Sequence, residues 1–570
     1  MNERTKVSDP AGEALCIPHA ERVKAWIGAA RSTTGVTVHD DPGTLERAAR
    51  STLPKSARPA AVAYPESVEQ VSVLVRLAND FGVSLWPVSR GKNWGYGSAT
   101  PALDGTILLH LERMNKVLEV DETLGYAVVE PGVTYRQLRQ HLEQARSRLW
   151  CDCTDGPPDG SVIGNALERG MGVTHYADHF GTLCGLEVVL PDATVIRTGG
   201  GAFGRCPTFN THKWGVGPYL EGLFSQSNFG IVVKAGIWLF PAPEAYCAFA
   251  FDLARDDDLP KLVDAVREMT LAGLLAPGVH IVNAVCALAV LSQYPPGFAE
   301  RVSRLPDPVL AEERRRLAIA GWSLGGGILG TRGWVNQVRR ELRRRLGGLG
   351  RLRFITRQSV KGAAGVAHAV QALAPGSKAR RVIEAAFRRA TGKPAEMAVV
   401  AQRVYEVMQG RPSDYFVRHA YFKSGLAKPE IADPDRDDIG KIWIAPVVPM
   451  RGRDVVAALH RLETVFKAHD FDFYVALLAQ NSRTLIVLMC IFFSKADPDE
   501  CARAQALYDA VNASLEQSGL QPYRTGSQSA PTHPERYAEL LEQLKAALDP
   551  NGVLAPGKSG IGSGSRSASQ

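Results

Sequence analysis

The sequence predicts an α+β protein with two or three domains. Its 570 residues are too many for one ordinary hydrophobic core, because single cores stop growing near about 250–300 residues. With 45% apolar and 22% charged residues, the chain can bury several cores, which excludes the disordered, collagen-like and disulfide-scaffold classes. Short strand-like runs also alternate with amphipathic helices and glycine-rich turns, as is typical of α+β proteins.

Charge and cysteine content limit the possible partners and the compartment. The net charge of +7 is modest for this length, and few aromatic residues interrupt the arginines near 314–316 and 339–353, so we expect solvated helix faces and no nucleic-acid partner. Nine irregularly spaced cysteines do not predict a disulfide framework. The sequence shows neither a signal-like apolar segment near residue 1 nor a run of about 18 apolar residues, so we expect a soluble cytoplasmic protein without a membrane segment.

The first third of the chain has the pattern of strands joined by helices and glycine loops. After a polar, helix-biased stretch over 1–60, a strand is expected at 60–64, followed by an amphipathic helix capped by Ser67 and a strand at 83–89. Further strands are expected at GTILLHL, GYAVVEPG, GLEVVLPDATVIRTG and GIVVKAGIWLF. Residues 61–240 should therefore form an α+β region.

From about residue 241 to 521 the pattern changes to strands alternating with long helices. The segments that show it best are the helix LPKLVDAVREMTLAG and the strands IWIAPVVP, DFYVALLA and TLIVLMCIFF. These predict a second sheet with helices on one side. Residues 523–561 are again turn-rich, and GSGSRSASQ is a low-complexity tail.

Three glycine-rich loops point to a long, phosphate-bearing ligand. The first, RGKNWGYGS at 90–98, follows a strand, and successive N–H groups in such a turn can bind a pyrophosphate. It matches neither G-x-x-x-x-G-K-[ST] nor G-x-G-x-x-G, which argues against ATP-loop and Rossmann sites. Similar loops occur at 160–170 and 225–232. Together they favour a polyphosphate ligand lying across a sheet over three independent turns.

An ordered set of motifs resembles a known enzyme family. The motifs are RPAAVAYPESVEQVSVLVRLAN, PVSRGKNWGYG, VVEPGVTYRQL, GSVIGNALERG, GLEVVLPDATVIRTG, GLFSQSNFGIVVKAGIWL and DPNGVLAPGKSGI. They resemble the vanillyl-alcohol oxidase and p-cresol methylhydroxylase family of flavoproteins. The resemblance implies a two-part FAD-binding domain, here 1–240 and 520–561, with an inserted α+β substrate cap domain at 241–519 and a disordered tail at 562–570.

The same resemblance implies which residues hold FAD. The pyrophosphate would lie against the first glycine loop, Lys558 near the isoalloxazine end, and His179 beside the site. The expected FAD-binding residues are Arg90, Gly91, Lys92, Asn93, Trp94, Gly95, Gly160, Ser161, Gly164, Asn165, His179, Asn228, Ile231 and Lys558.

The family places two tyrosines and an arginine around a phenol oxygen, and here Tyr96, Tyr523 and Arg524 match those positions. Two hydroxyl donors and a guanidinium would stabilise a phenolate, which helps a hydride leave the para benzylic carbon. The family oxidases also place an aspartate near that carbon. Asp155 keeps the three-residue spacing from Asp152 and is the expected base, with Asp159 as the alternative because one extra residue and two prolines alter this loop.

A metal site is not expected. Cys151 and Cys153 could combine with His175 and His179, but the C-x-x-C pairs and the H-E-x-x-H pattern of common zinc sites are missing from the sequence.

Non-covalent FAD is expected, against the habit of the family. Its members commonly attach the flavin to a histidine or tyrosine about eighty residues before the Tyr-Arg pair, which here falls on 441–446, a segment without either residue type. The first glycine loop offers only Asn93 and Trp94 at the position where other flavoproteins use histidine. His419, Tyr415 and Tyr421 remain alternatives.

The expected function is FAD-dependent removal of a hydride from the benzylic carbon of a para-substituted phenol through a quinone methide. The electron acceptor would be dioxygen or a redox protein, and we expect a homodimer. Two alternatives stay open: FAD-dependent oxidation of a non-phenolic alcohol, hydroxy acid or sugar, and a flavin-binding protein without turnover.

Overall fold

The computed structural model describes residues 17–174, 176–299, 302–374, 376–395, 397–529, 531 and 533–562. His175 and all but the first residue of the tail predicted for 562–570 lie outside the described residues. The α-helices are α1 (His19–Thr34), α2 (Pro42–Ala48), α3 (Val68–Phe81), α4 (Tyr135–Gln144), α5 (Val162–Leu167), α6 (Leu259–Leu271), α7 (Ala284–Leu291), α8 (Asp307–Leu317), α9 (Arg332–Leu346), α10 (Arg357–Ala372), α11 (Lys378–Thr391), α12 (Met397–Val407), α13 (Gly452–Ala468), α14 (Pro498–Gln517) and α15 (Glu535–Leu548). The strands are β1 (Thr37–His39), β2 (Ala61–Tyr64), β3 (Leu85–Val88), β4 (Ile107–His110), β5 (Val117–Asp121), β6 (Tyr126–Val129), β7 (Leu149–Trp150), β8 (Leu183–Val189), β9 (Val195–Arg197), β10 (Ile231–Trp238), β11 (Phe240–Pro241), β12 (Ala245–Leu253), β13 (His280–Asn283), β14 (Trp322–Gly330), β15 (Gly350–Ile355), β16 (Gly440–Ile444), β17 (Val447–Pro449), β18 (Tyr474–Ala479) and β19 (Thr484–Phe493).

Residues 37–238 form two sheets that carry the glycine loops. One sheet has the order β1-β2-β4-β3, and the other has the order β5-β6-β10-β8-β9. The sequence prediction of α3 is confirmed: the Ser67 side chain accepts a hydrogen bond from Gln70 N, and the helix ends at Gly82, whose φ of 59° suits glycine. Because β3 ends immediately before residue 89, the loop at 90–98 starts at the edge of the first sheet.

The middle of the chain forms one eight-stranded sheet, ordered β15-β12-β14-β13-β18-β19-β16 with β17 beside β19. One face packs against α6, α9, α13 and α14 in the largest hydrophobic cluster of the described residues. The other face contacts α7, so the expectation of helices on one side only is wrong. Strand residues alternate between two faces, and here both faces carry side chains that need cover.

The segment after α15 returns to the first sheet. Residues 553–555 lie beside β3, where Leu85 N donates to Val553 O and Ala555 N donates to Leu85 O, both at 2.8 Å. The buried Lys545 ammonium donates to the carbonyl oxygens of Asn228 and Leu554, each at 2.8 Å. The C-terminal segment is thus joined to elements more than 300 residues earlier in the chain.

No helix in the described ranges combines the length and the apolar character needed to cross a bilayer. The eight cysteines placed by the structure are free thiols, and six of them are buried. The division into domains at residues 240 and 519 stays a prediction.

Candidate active site

A cavity of about 730 Å³ lies between the glycine loops and the eight-stranded sheet. Its walls come from residues 86–102, 154–173, 224–232 and 523–527, from 557–559, and from one face of that sheet. The three glycine loops that the sequence analysis assigned to one ligand therefore surround one space.

The first glycine loop is held in place by aspartates of the segment before β16. Lys92 Nζ lies 3.0 Å from Asp433 Oδ2, and Trp94 Nε1 donates to Asp435 Oδ2 at 2.9 Å. Ser98 Oγ donates to the other oxygen of Asp435 at 2.7 Å. Burial raises the pKa of Asp435 to about 7. Thus the side chains of Lys92, Trp94 and Ser98 stabilise the loop, whose residues line the cavity.

The second loop opens α5 and is also fixed by its own polar groups. Ser161 Oγ accepts from Gly164 N at 2.8 Å and donates to Pro131 O at 2.6 Å. A Cβ atom on Gly164 would lie 3.0 Å from Ser89 Oγ, so glycine allows the close approach of α5 to the end of β3. Asn165 Oδ1 lies 2.6 Å from His179 Nδ1, which also lies 2.9 Å from the Tyr135 hydroxyl.

Most of the expected FAD-binding residues line the cavity. They are Arg90, Gly91, Lys92, Asn93, Trp94, Gly160, Ser161, Gly164, Asn165, Ile231 and Lys558. Lys558 Nζ pairs with Glu168 Oε1 at 2.5 Å. Glu168 also lines the cavity, and the sequence analysis did not name it as a site residue.

Three expected FAD-binding residues lie behind the cavity wall. His179 is buried behind Asn165, and Asn228 Nδ2 donates to Ala555 O and Ile561 O at 3.0 and 3.1 Å. Gly95 packs against β16, where a Cβ atom would lie 2.3 Å from the Trp443 ring. These positions support the wall and do not present a side chain to the cavity.

Tyr96 comes together with Tyr523 and Arg524 at the cavity, although more than 400 residues separate it from that adjacent pair in sequence. The Arg524 guanidinium lies 4.0 Å from the centre of the Tyr96 ring and 5.2 Å from that of Tyr523. Tyr96 is only 3% exposed, and Arg524 and Tyr523 both stand close enough to its hydroxyl to act on its pKa. In the part of the chain that the structure describes, this hydroxyl makes no hydrogen bond of ordinary geometry. The same holds for Arg524 Nε.

The protonation of this cluster follows from burial and mutual charge. Burial, reinforced by Tyr523, raises the pKa of Tyr96, and burial also raises the pKa of Tyr523. Burial alone would lower the pKa of Arg524, but the two tyrosines raise it above its usual value. At neutral pH the cluster thus offers two O–H donors and a fixed cation, which suits an oxyanion such as a phenolate.

The two candidate bases have different surroundings. Asp155 is exposed and lines the cavity, and its nearest hydrogen bond, from Thr154 Oγ1, is long at 3.4 Å. Asp159 lies away from the cavity, and its Oδ1 accepts from Arg136 Nε at 2.8 Å. Asp152 is buried and accepts from backbone amides, including Ala177 N at 2.7 Å. Of the three carboxylates, only Asp155 is placed to meet a ligand.

Lys441 is a cavity residue that sequence analysis passed over. It is 3% exposed, lies on the same face of β16 as Trp443, and its ammonium stands 4.1 Å from the centre of that ring. Burial lowers the pKa of Lys441 to about 8, although Cys490 and Asp155 counter this effect. The available signal was a single charged residue in the otherwise apolar run GKIWIAPVV.

His419 also lines the cavity, and its Nε2 atom has no partner among the residues described. Of the three alternatives for covalent attachment, His419 lines the cavity, whereas Tyr415 and Tyr421 do not. The Tyr421 hydroxyl instead donates to Asp437 Oδ2 at 2.5 Å. In the described ranges, no group of three or more His, Cys, Asp or Glu residues is arranged to hold a metal ion.

The cavity fits FAD. Glycines place backbone against it at positions 91, 160, 164 and 230. Arg90, Lys92 and Lys558 also line it, and each of these cations is paired with a carboxylate. A family model described as "FAD binding domain" matches residues 59–199.

Relatives extend over nearly the whole chain. The 1'-carboxy-chondrochloren decarboxylase of Chondromyces crocatus is 36% identical over 528 residues, covering 91% of this chain and 94% of that protein. The 4-cresol dehydrogenase [hydroxylating] flavoprotein subunit of Pseudomonas putida is 27% identical and covers 88% of both chains. The crystal structure of p-cresol methylhydroxylase with substrate bound superposes with a TM-score of 0.82 at 25% identity, covering 95% of this chain and 97% of that one.

The chain belongs to the vanillyl-alcohol oxidase and p-cresol methylhydroxylase family. The 4-ethylphenol oxidase of Gulosibacter chungangensis, solved with isoeugenol, matches it with a TM-score of 0.81 at 28% identity, over 95% of this chain and 98% of that one. This family member is thus an FAD-linked oxidoreductase, as the motifs predicted, and FAD is its cofactor. When bound, FAD supplies the hydride acceptor.

Proposed function

We propose that the protein removes a hydride from the benzylic carbon of a para-substituted phenol. The observation that supports this most is the cluster of Tyr96, Tyr523 and Arg524, in which a buried hydroxyl without a hydrogen bond of ordinary geometry lies beside a half-buried guanidinium. A buried polar group without a hydrogen bond costs free energy, so a ligand oxygen that accepts a hydrogen bond from this hydroxyl binds more tightly.

The proposed steps use residues on both sides of the substrate. The cluster holds the phenolate oxygen, whose negative charge delocalises to the para carbon as the hydride leaves, giving a quinone methide. Asp155 then takes a proton from water adding at the benzylic carbon, from a benzylic hydroxyl or from the neighbouring carbon. The product is an alcohol, a carbonyl compound or an alkene, according to which proton Asp155 removes.

Oxidative decarboxylation is a second candidate, favoured by the 36% identity with a decarboxylase and by the buried Lys441 ammonium in the same cavity. If the carbon next to the benzylic carbon carries a carboxylate, the quinone methide can lose CO₂. The pair of electrons from the broken C–C bond then forms the alkene and restores the aromatic ring, so no second oxidant is needed.

Anaerobic mixing with substituted phenols tests the proposal. We expect 4-ethylphenol or a 4-hydroxyphenylpropanoate to bleach the visible flavin band, whereas the corresponding methyl ethers should not, because they cannot form a phenolate. Release of CO₂ with an alkene product from the carboxylated compound would select the second candidate. Bleaching by the methyl ethers at equal rates would refute both.

A further inference from the structure

The cavity continues well past the phenol cluster, along the face of the eight-stranded sheet. One row of cross-strand neighbours on this face runs through Arg353, Ala250, Gly325, His280, Leu478 and Ile486, and all six line the cavity. A parallel row runs through Asp252, Ser323, Val282, Ala476 and Leu488, which line it as well. The open space thus follows the sheet from β19 to β15.

The distance is long compared with a small phenol. Four strand steps separate β18 from β15, and at about 4.8 Å a step they span about 19 Å. Asp155 lies near the start of this path, since its charge acts on His280 of β13 and on Tyr474 of β18. A para substituent that passes Asp155 can therefore continue over β13, β14 and β12.

The floor of the path is lowered by small residues. A Cβ atom added to Gly325 would find no atom closer than 3.9 Å, the carbonyl oxygen of Phe249, so no side chain fills the space above this strand. Its neighbours in the two rows include Ala250, Ser323 and Ala476, which are also small.

The roof is apolar and comes from α10, α11 and α12. Val360, Ala363, Phe387, Val400, Ala401 and Val404 line the cavity from these helices. In α11 no residue is fully buried, and Phe387 of this helix is partly exposed where it lines the cavity. The far end is polar: Arg353 Nη2 and Lys393 Nζ pair with Asp252 Oδ2 at 2.5 and 2.8 Å.

We propose that this path, the cap groove, is a binding site for a long apolar chain on the para side of the phenolic substrate, so that the substrate class is an elongated, chain-bearing phenol. The inference rests on the proposed function for the phenol end. It adds that specificity comes from the groove: the phenol cluster holds the oxygen, the apolar chain lies between the sheet and α10–α12, and its far end meets the polar groups around Asp252.

Flavin reduction by 4-ethyl-, 4-butyl-, 4-hexyl- and 4-octylphenol, kept below their micelle-forming concentrations, tests the groove. We expect the second-order rate constant to rise with chain length, by up to about fourfold for each methylene that leaves water. Gly325→Leu fills the floor and should leave the constant for 4-ethylphenol within about twofold while abolishing the rise. Gly327→Ala is the control, because it lies on the same strand and face, outside the cavity lining, and its Cβ atom would make only ordinary contacts from 3.5 Å.

The outcomes separate the two proposals. A flat or falling series in the wild-type protein, with 4-ethylphenol still reducing the flavin, overturns the cap groove and leaves the proposed function standing. The same holds if the rise survives in Gly325→Leu. If none of the phenols reduces the flavin, the proposed function fails, and equilibrium dialysis of 4-octylphenol then tests the cap groove by itself. Tighter binding by the wild type than by Gly325→Leu supports the cap groove. Equal affinity of the two proteins refutes it.

Discussion

Replacing Tyr96 by phenylalanine should make the substrate-free protein more stable and the enzyme much slower. The buried Tyr96 hydroxyl makes no hydrogen bond of ordinary geometry with the described residues, and an unsatisfied group of this kind costs about 1–3 kcal/mol of folding free energy. Phenylalanine keeps the ring under the Arg524 guanidinium and removes that cost. Losing one donor to a developing oxyanion costs about 2.7–4 kcal/mol in the barrier, so flavin reduction by a phenol should fall about 100- to 1,000-fold.

Tyr294→Phe is the matched control. Tyr294 is also buried, but its hydroxyl donates to the Asp472 carboxylate, so this change should lower stability and leave flavin reduction nearly unaltered. Thermal unfolding without substrate and anaerobic stopped-flow reduction measure the two effects. A Tyr96→Phe protein that melts below the wild type while keeping its rate would refute the assignment, because the hydroxyl would then serve the fold.

Three further predictions concern the same cavity. Asp155→Asn should slow turnover with little change in the affinity for phenols. Asp159→Asn should leave turnover unchanged, because the Asp159 carboxylate pairs with Arg136 away from the cavity. If steady-state kinetics show that Asp159→Asn is the slower variant, Asp159 is the base. Lys441→Met should raise the free energy of unfolding, measured in urea, by about 3 kcal/mol at pH 7. Because burial holds the pKa of Lys441 in the folded protein at about 8, this gain in stability should disappear as the pH rises from 8 to 10.5. A gain that does not change with pH contradicts this prediction. Acid precipitation should release yellow FAD into the supernatant, whereas a yellow pellet from the wild type that turns colourless in His419→Ala would show attachment through that residue.

Local structure was predictable wherever one short segment decides it. The Ser67 cap and the β-branched runs of β8 and β10 each carry their own signal, and each was placed correctly. The meeting of Tyr96 with Arg524 was accessible only through the family resemblance, because nothing local relates residues more than 400 positions apart. The hydrogen bonds that Asp435 accepts from Trp94 and Ser98 were missed for the same reason.

Burial against a cavity was the hardest property to predict. His179 was expected beside the site, and the structure places it one layer behind the cavity wall, with its Nδ1 atom 2.6 Å from Asn165 Oδ1. Lys441 was dismissed because it is neither histidine nor tyrosine, and its strand neighbours gave no sign that its face of the sheet lines a cavity. Alternation shows which residues share a face, but it does not show whether that face meets a helix or an open space.

The return of residues 553–561 to the first sheet sets the timing of cofactor loading. Part of the cavity wall, at 557–559, is synthesised after the whole eight-stranded sheet, and Leu554 must reach Leu85 across more than 460 residues of chain. Domains usually fold as they leave the ribosome, but this wall cannot close during synthesis of the strands that it completes. FAD should therefore enter a chain that has already been synthesised past residue 559, and cells short of riboflavin should accumulate an open, protease-sensitive apoprotein.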